Sequence, residues 1–434
     1  MSKSDIQKQI DDQVGESIDP TKFYVTKKSR LVRLLVSLAG NWLVFLALWN
    51  AVISVFLPYQ IGLIDELNKE NNLALVLTTS TFFSIFAQPL AGALSDRTRS
   101  KWGRRSLWIM GGSLFGALIL VGLSLQTTIV GVLICYIGVA VVLNFANGPL
   151  ATVIADRFEP ERRGVASGII GASQTAGGTI GIMAAGAILT AWNVRAGYLI
   201  FAAAIFIICW TFVLLNREPS TENIARKPFK IGEFLKGFWV SPRKYPDFGW
   251  AFLGRFMMYL GYQGTTAYLL YILADYIGMG MDSAATTIGT VSAVQMVGLI
   301  VSGLVSGWLS DVFKRRKPFV FAATVIISIA LAMPLIFPNM AGIYLYAILM
   351  GLGYGAYMSI DLALMSEVLP EGGADAGKDM GVLTIATQVP QTLSPLICAT
   401  LLGLFGGNYA SIFIFGMIVV FSSSFFVLPI KSVK

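Results

Sequence analysis

Histidine is absent from all 434 residues. Any step that moves a proton must therefore use a carboxylate, a tyrosine or water. Cysteine is nearly absent: Cys135, Cys209 and Cys398 stand singly in apolar runs with no metal-ligand spacing, which argues against a disulfide framework. No metal and no cofactor is expected. Charge is scarce too, at 13% Asp, Glu, Lys and Arg, about half the share in a soluble globular chain. An apolar signal-peptide core is missing from Met1-Ser-Lys-Ser-Asp-Ile-Gln-Lys8, and the polar start is expected to be a disordered tail.

What fills the space is apolar. Hydrophobic residues make up 55% and the mean hydropathy is +0.70. Runs long enough to cross a bilayer, roughly 20 residues each, occur at 32–56, 74–95, 106–125, 128–153, 165–190, 197–215, 248–273, 285–309, 318–337, 341–366, 380–405 and 409–429. They are too long and too uniformly apolar for lipid-facing strands. The expected class is an all-α membrane protein with twelve transmembrane helices.

The basic residues orient it. With the amino terminus inside, every Lys and Arg of the 32 falls in an inside segment except Lys69, Arg195 and Arg255. That is the positive-inside bias, and it accounts for the +8 net charge without a nucleic-acid partner. Both termini are expected to be cytoplasmic, in a multi-pass protein of the cell membrane.

The chain repeats. Gly164-Val165 and Gln174-Thr175 recur at the same spacing as Gly381-Val382 and Gln391-Thr392, and Gly92, Ser95 and Asp96 recur as Gly307, Ser310 and Asp311. Asp156-Arg-Phe-Glu-Pro160 has a counterpart in Glu367-Val-Leu-Pro370, and Arg33 in Arg255. Two parallel six-helix halves leave such symmetry. The expected division is a tail at 1–31, a first half at 32–216, a cytoplasmic linker with an amphipathic helix at 217–247, and a second half at 248–434.

Few polar groups lie inside the spans. Arg255 and Asp361 enter spans 7 and 10 to matching depth from the same side, roughly 10 Å at 1.5 Å per residue, and an isolated charge there costs several kcal/mol. They are expected to pair, either as structure or to couple transport to protons. Tyr259 and Tyr262 share one helical face of span 7 with Arg255, with Gln263 adjacent, and Tyr354 and Tyr357 precede Asp361 on span 10. Asn41, Asn144, Asn147, Gln174, Gln388 and Gln391 add amides in spans 1, 4, 5 and 11. Amides donate and accept together, and aromatic rings stack on a pyranose, so this set suits a neutral polyol. The alternative is interhelical hydrogen bonding. Glycines of spans 5 and 8 read as tight crossings, and Gly351, Gly353 and Gly355 as possible bends in span 10.

Between spans 2 and 3 stands Gly92-Ala-Leu-Ser-Asp96-Arg97-Thr-Arg-Ser-Lys-Trp-Gly103-Arg104-Arg105, echoed by Asp311 and the basic run 314–317. This resembles the cytoplasmic gate motif of the major facilitator superfamily, and implies that fold. Gly92 would let helices approach, Asp96 would accept from a basic side chain or helix end, and Arg97, Gly103, Arg104 and Arg105 would complete the cluster. A bare topogenic loop is the alternative. Five residues separate Asp96-Arg97 from Gly103-Arg104-Arg105, a longer gap that is similar to the glycoside-pentoside-hexuronide cation symporters and the sucrose-type proton symporters. The segments Phe238-Trp-Val-Ser-Pro-Arg-Lys-Tyr-Pro-Asp247 and Asp361 to Gly381 are similar to the same group. Its melibiose-type members hold sodium with aspartates in spans 2 and 4, which here carry no acid within the span. Proton coupling through Asp361 is therefore expected in place of sodium.

The resemblance implies a monomeric secondary transporter that imports a sugar or glycoside with protons by alternating access, and no enzyme. The competing readings are a proton-antiport exporter of amphiphilic drugs or metabolites, a non-transporting sugar receptor, and a membrane enzyme built on Asp375 and Asp379.

Overall fold

A computed structural model describes residues 28–218, 220–221, 245–313, 315–368 and 376–430. Among these, regular structure is helical throughout. Helix α1 runs Lys28–Ala51, widens into a π-helical turn at Val52–Phe56 and continues as Leu57–Ile64. It is followed by α2 (Lys69–Arg97), α3 (Ser106–Leu123), α4 (Ile129–Ala151, with a short turn Val153–Arg157), α5 (Pro160–Ala191) and α6 (Val194–Leu215). The second half holds α7 (Pro246–Ala267, then Leu269–Tyr271 and a π-helical turn Ile272–Tyr276), α8 (Met281–Phe313) and α9 (Lys317–Ile336). It ends with α10 (Met340–Val368), α11 (Ala376–Leu404) and α12 (Ala410–Phe425).

Eight of these helices are long and apolar enough on their own to cross a membrane. The others have a physical reason to fall short. Gly, Ser, Thr and Gln dilute α5, tyrosines and glycines dilute α7, two prolines and several polar residues interrupt α11, and α12 is only 16 residues long.

The halves are built alike. In the first, α1 packs on α5 and α6, α4 on α2 and α3, and α3 on α6; in the second, α7 packs on α11 and α12, α10 on α8 and α9, and α9 on α12. The same operation relates the two most extensive contacts that join the halves, α2 with α11 and α5 with α8. Glycine makes the tightest crossings. A Cβ on Gly181 would stand 2.1 Å from the Ala47 carbonyl oxygen, fixing α5 against α1, and one on Gly355 would stand 2.2 Å from that of Leu299, fixing α10 against α8. Gly351 makes the same kind of contact with Gln295, so these residues seat a crossing and leave α10 unbroken, contrary to the expected bend.

Several sequence expectations change in detail. The first span reaches Ile64, because the π turn precedes Pro58, whose missing N–H cannot continue the regular ladder. The tail, most of the linker with its expected amphipathic helix, Asp375 and the side chains of Asp311 and Asp379 lie outside what the structure describes. Cys135, Cys209 and Cys398 are free thiols.

The two ends of the bundle differ. Near the α1–α2 turn, the halves press together: a Cβ on Gly186 of α5 would stand 2.4 Å from the Ala285 oxygen of α8, and Thr78 of α2 donates to the Thr392 carbonyl of α11 at 3.0 Å. At the opposite, basic end, Gly164 and Gly168 of α5 and Gly92 of α2 have open space where a Cβ would go. The bundle is pinched at one end and parted at the other.

Candidate functional site

Arg255 lies nine residues into α7, about 13 Å along it, and Asp361 lies two turns before the end of α10. Their side chains meet at 3.3 Å, Nη1 to Oδ2, with 9% and 5% exposed. The contact lacks hydrogen-bond alignment: Arg255 Nε and Nη1 and Asp361 Oδ2 remain buried without an aligned partner. Two opposite charges thus share one buried site and lower each other's burial cost, but polar valences are left over.

From this pair a column of aromatic rings runs between α7 and α10. The Arg255 guanidinium stands 5.8 Å from the centre of the Tyr259 ring. The Tyr259 hydroxyl donates to Met358 Sδ at 3.2 Å, and Tyr262 stacks on Tyr354 with centres 4.7 Å apart and planes 17° from parallel. Tyr357 is fully buried beside Asp361 and Arg255. The structure brings together Arg255, Tyr259, Tyr262, Tyr357 and Asp361, with Tyr354 of the same helical face of α10, and adds Met358.

The amides sit elsewhere. Asn41 is wholly buried between α1 and α6, donating to the Ser37 and Ile208 carbonyls at 2.9 and 3.4 Å. Asn144 donates to Ala140 of its own helix at 2.7 Å. Asn147 is half-buried with its Oδ1 unpartnered. Gln174, Gln263, Gln388 and Gln391 are half-buried on α5, α7 and α11. Asn41 and Asn144 thus serve the packing of the first half, while Gln263 stands next to Tyr262 on α7.

The motif at 92–105 folds into a charge cluster at the basic end. Gly103 adopts φ 90°, a left-handed conformation that favours glycine, and a Cβ there would collide with Glu218. Next to it Arg105, 4% exposed, donates to Asp156, to Ser95 Oγ at 3.2 Å and to Asp96 Oδ1 at 3.1 Å, while its backbone N–H donates to Glu218 Oε2 at 2.9 Å. Arg104 reaches Asp156 at 2.9 Å and Asp96 at 3.7 Å. The cluster ties α2, the 2–3 loop, the end of α4 and the exit of α6 into one cap. Asp156 and Glu218 are members that the motif itself does not contain. Arg97 stands at the last residue of α2, beside the cap. Gly92 makes no close approach here, contrary to expectation. The α2–α4 crossing rests instead on Gly148, where a Cβ would meet the Gln88 carbonyl at 2.9 Å.

The pinched end carries a second cluster that the sequence did not single out. Lys69 opens α2, with its side chain 8% exposed, and binds Asp275 of α7 through both carboxylate oxygens at 3.0 and 2.8 Å. Its ammonium lies 5.2 Å from the Tyr271 ring centre. Tyr409, at the entrance to α12, stands 2.6 Å from Glu70 Oε1 and 2.8 Å from Asp275 Oδ2. Tyr268 donates to the Glu70 carbonyl, Tyr271 to the Pro58 carbonyl and Tyr59 to Asp282. Each of these contacts except that of Tyr409 with Asp275 joins one half to the other. Alongside, Asn68 donates to Asp65 and, with Asn72, holds that exposed carboxyl below the usual carboxylate range. Lys69 and Asp275 are 206 positions apart, and the only signal was a lysine on the side poor in basic residues.

A family model described as Major Facilitator Superfamily matches residues 37–286 and 251–433. The chain belongs to that superfamily. Among curated members it is 23% identical over 396 residues to the MFS transporter asaE of Aspergillus flavus, covering 89% of this chain and 83% of that one. It is 25% identical over 341 residues to the fujikurins efflux protein of Gibberella fujikuroi, covering 76% and 67%. Among solved structures it superposes on a bacterial homologue of the human lysosomal transporter Spinster, in an inward-facing, unoccupied conformation, with a TM-score of 0.71 at 16% identity, over 93% of this chain and 96% of that one. This facilitator is therefore a multi-pass membrane protein that transports small molecules.

Proposed function

We propose that this facilitator is a proton-coupled secondary transporter of the cell membrane, acting by alternating access, that imports a sugar or glycoside. The observation that carries the coupling is the buried pair of Arg255 and Asp361 at the head of the tyrosine column. A carboxylate in that place can exchange its partner for a proton when the helices shift, and Tyr259, Tyr262, Tyr354 and Tyr357 offer hydroxyls and flat faces to a ring-shaped polyol. The long gap between Asp96-Arg97 and Gly103-Arg104-Arg105 supports the glycoside-pentoside-hexuronide type within the superfamily. With the basic cap inside by the positive-inside bias, both termini are cytoplasmic and the conformation is open inward.

The test is uphill transport by purified protein in liposomes. Under a pH gradient, the native protein concentrates a radiolabelled sugar drawn from a mono- and disaccharide binding screen. Asp361→Asn abolishes this while retaining exchange. Continued accumulation by that variant would make the pair structural only.

A second reading has its own support. The amides expected to face a sugar are in part engaged by backbone, which leaves an aromatic column, and one curated relative is named for efflux. Proton-antiport export of amphiphilic metabolites fits those facts. Reversing the imposed pH gradient separates the two: a symporter accumulates substrate on the alkaline side, an antiporter on the acidic side.

A further inference from the structure

Arg255 and Asp361 keep polar valences that their contact does not satisfy. A small cavity adjoins them between α7, α9, α10 and α12, lined by Gly254, Arg255, Thr324, Tyr357, Asp361 and Ser423. Its free volume is about 10 Å³, room for one water molecule. Both charged side chains are more than nine-tenths buried, and Arg255 Nε and Nη1 and Asp361 Oδ2 have no aligned partner. The hydroxyls across the cavity have spent their protons: Thr324 donates to the Val320 and Phe321 carbonyls at 3.0 and 2.9 Å, and Ser423 to Val420 at 2.6 Å. Their lone pairs remain free to accept.

The site thus sets the guanidinium donors opposite carboxylate and hydroxyl acceptors, among apolar walls of Ala251, Val320, Leu364 and Val427. We propose that one structural water binds between α7, α9, α10 and α12, accepting from Arg255 and donating to Asp361 and to Thr324 or Ser423. Three such bonds are what a buried water ordinarily makes. An apolar occupant would leave the guanidinium donors unsatisfied, and a larger polar one does not fit.

This deepens the proton-coupled reading and rests on it for its functional consequence. When Asp361 is ionised, it faces Arg255 directly. When it takes up a proton, the guanidinium loses its counter-charge, and the water stays as the acceptor for its N–H groups. The neutral carboxyl can donate its new O–H to the same water. In the ionised pair the carboxylate and guanidinium answer each other's charge, and the water's donation to Asp361 only adds to that. In the protonated pair the water is the acceptor left to Arg255, so its net effect is to stabilise the protonated pair. Its position matters as well: Arg255, Thr324, Asp361 and Ser423 all stand on helices of the second half, so the water stays with the pair whichever end of the bundle is open. The titratable and charged groups at the site are Arg255 and Tyr259 from α7 and Tyr357 and Asp361 from α10. The described lining of α9 and α12 offers only Thr324 and Ser423 as polar groups, because Lys317 at the start of α9 is engaged by the Ile430 carbonyl.

Two experiments test this. A high-resolution structure of the full chain should show density within hydrogen-bond distance of both Arg255 and Asp361, lost in Thr324→Val. Its absence at a resolution that shows other buried waters overturns the site. In liposomes, Thr324→Val and the milder Ser423→Ala should each move the pH midpoint of gradient-driven transport downward, by about one unit in the double variant, the equivalent of a tenfold change. Substrate binding at low pH should be unchanged. An unmoved midpoint with the water lost overturns its role in the protonated state. Failure of the coupling reading is distinguishable, since it shows as uphill transport by Asp361→Asn whatever the density reveals.

Discussion

Removing the Lys69 charge should unfasten the pinched end. The lysine contacts Asp275 only while the halves meet there, so the bond contributes to one conformation and not to the other, which is the condition for shifting a population. Hydrogen bonds to charged groups contribute about 1.5–3 kcal/mol, and the Tyr271 ring adds roughly 0.5–1 kcal/mol. Asp275 is 36% exposed, so water already competes for it and the lower part of that range applies. A figure of about 2 kcal/mol remains, or about 30-fold in the ratio of closed to open. An open fraction of about 1% would rise to roughly a quarter. Spin labels at Leu67 and Leu404, both highly exposed at this end, report the change by pulsed electron resonance as growth of a longer-distance peak in Lys69→Met. Exchanging the charges, with Lys69→Asp and Asp275→Lys together, should restore much of the short distance. A distance distribution unchanged in a correctly folded Lys69→Met protein would refute the reasoning and leave the end closed by helix packing alone.

Other outcomes follow from the same geometry. Asp96→Asn removes one acceptor of Arg105 but leaves Asp156, so it should loosen the basic cap modestly and raise cysteine labelling at that end; unchanged labelling and uptake would reduce the motif to a topogenic role. Gly181→Ala cannot fit against Ala47 and should cost several °C of melting temperature in detergent, whereas Gly164→Ala, with open space before it, should melt like the native protein. Arg255→Ala should lower yield and melting temperature by stranding Asp361, a penalty of about 3–5 kcal/mol for a broken buried pair. The double variant with Asp361→Asn should recover folding but not accumulation.

Sequence reached the architecture because membrane helices announce themselves by length and composition, and the twelve runs became α1 to α12 with shifted ends. It reached Arg255 and Asp361 because a charge inside an apolar run has few possible partners. It did not reach Lys69 and Asp275, which meet by the folding of two halves and share no local periodicity. The amides show the opposite ambiguity. Asn41 looks available in a list of polar residues, yet its amide serves the α1–α6 contact, and nothing in its spacing separates the two uses. Gly92 shows a third kind: its role was read as a static contact, while the structure parts the surfaces at that end.

The π-helical turns at Val52–Phe56 and Ile272–Tyr276 interrupt α1 before its last two turns and close α7. Each inserts one residue beyond the regular repeat, which turns everything after it by about 100° relative to what precedes it. A single helix can therefore aim one face along its inner length and a different face at its tip. Tyr59 lies beyond the first turn and Asp275 within the second, and both reach across to the other half. Deleting one residue from either turn would leave the inner stretches of α1 and α7 in phase and swing the fastening groups away from their partners. In these two helices, phase is what separates the part that carries the load from the part that locks.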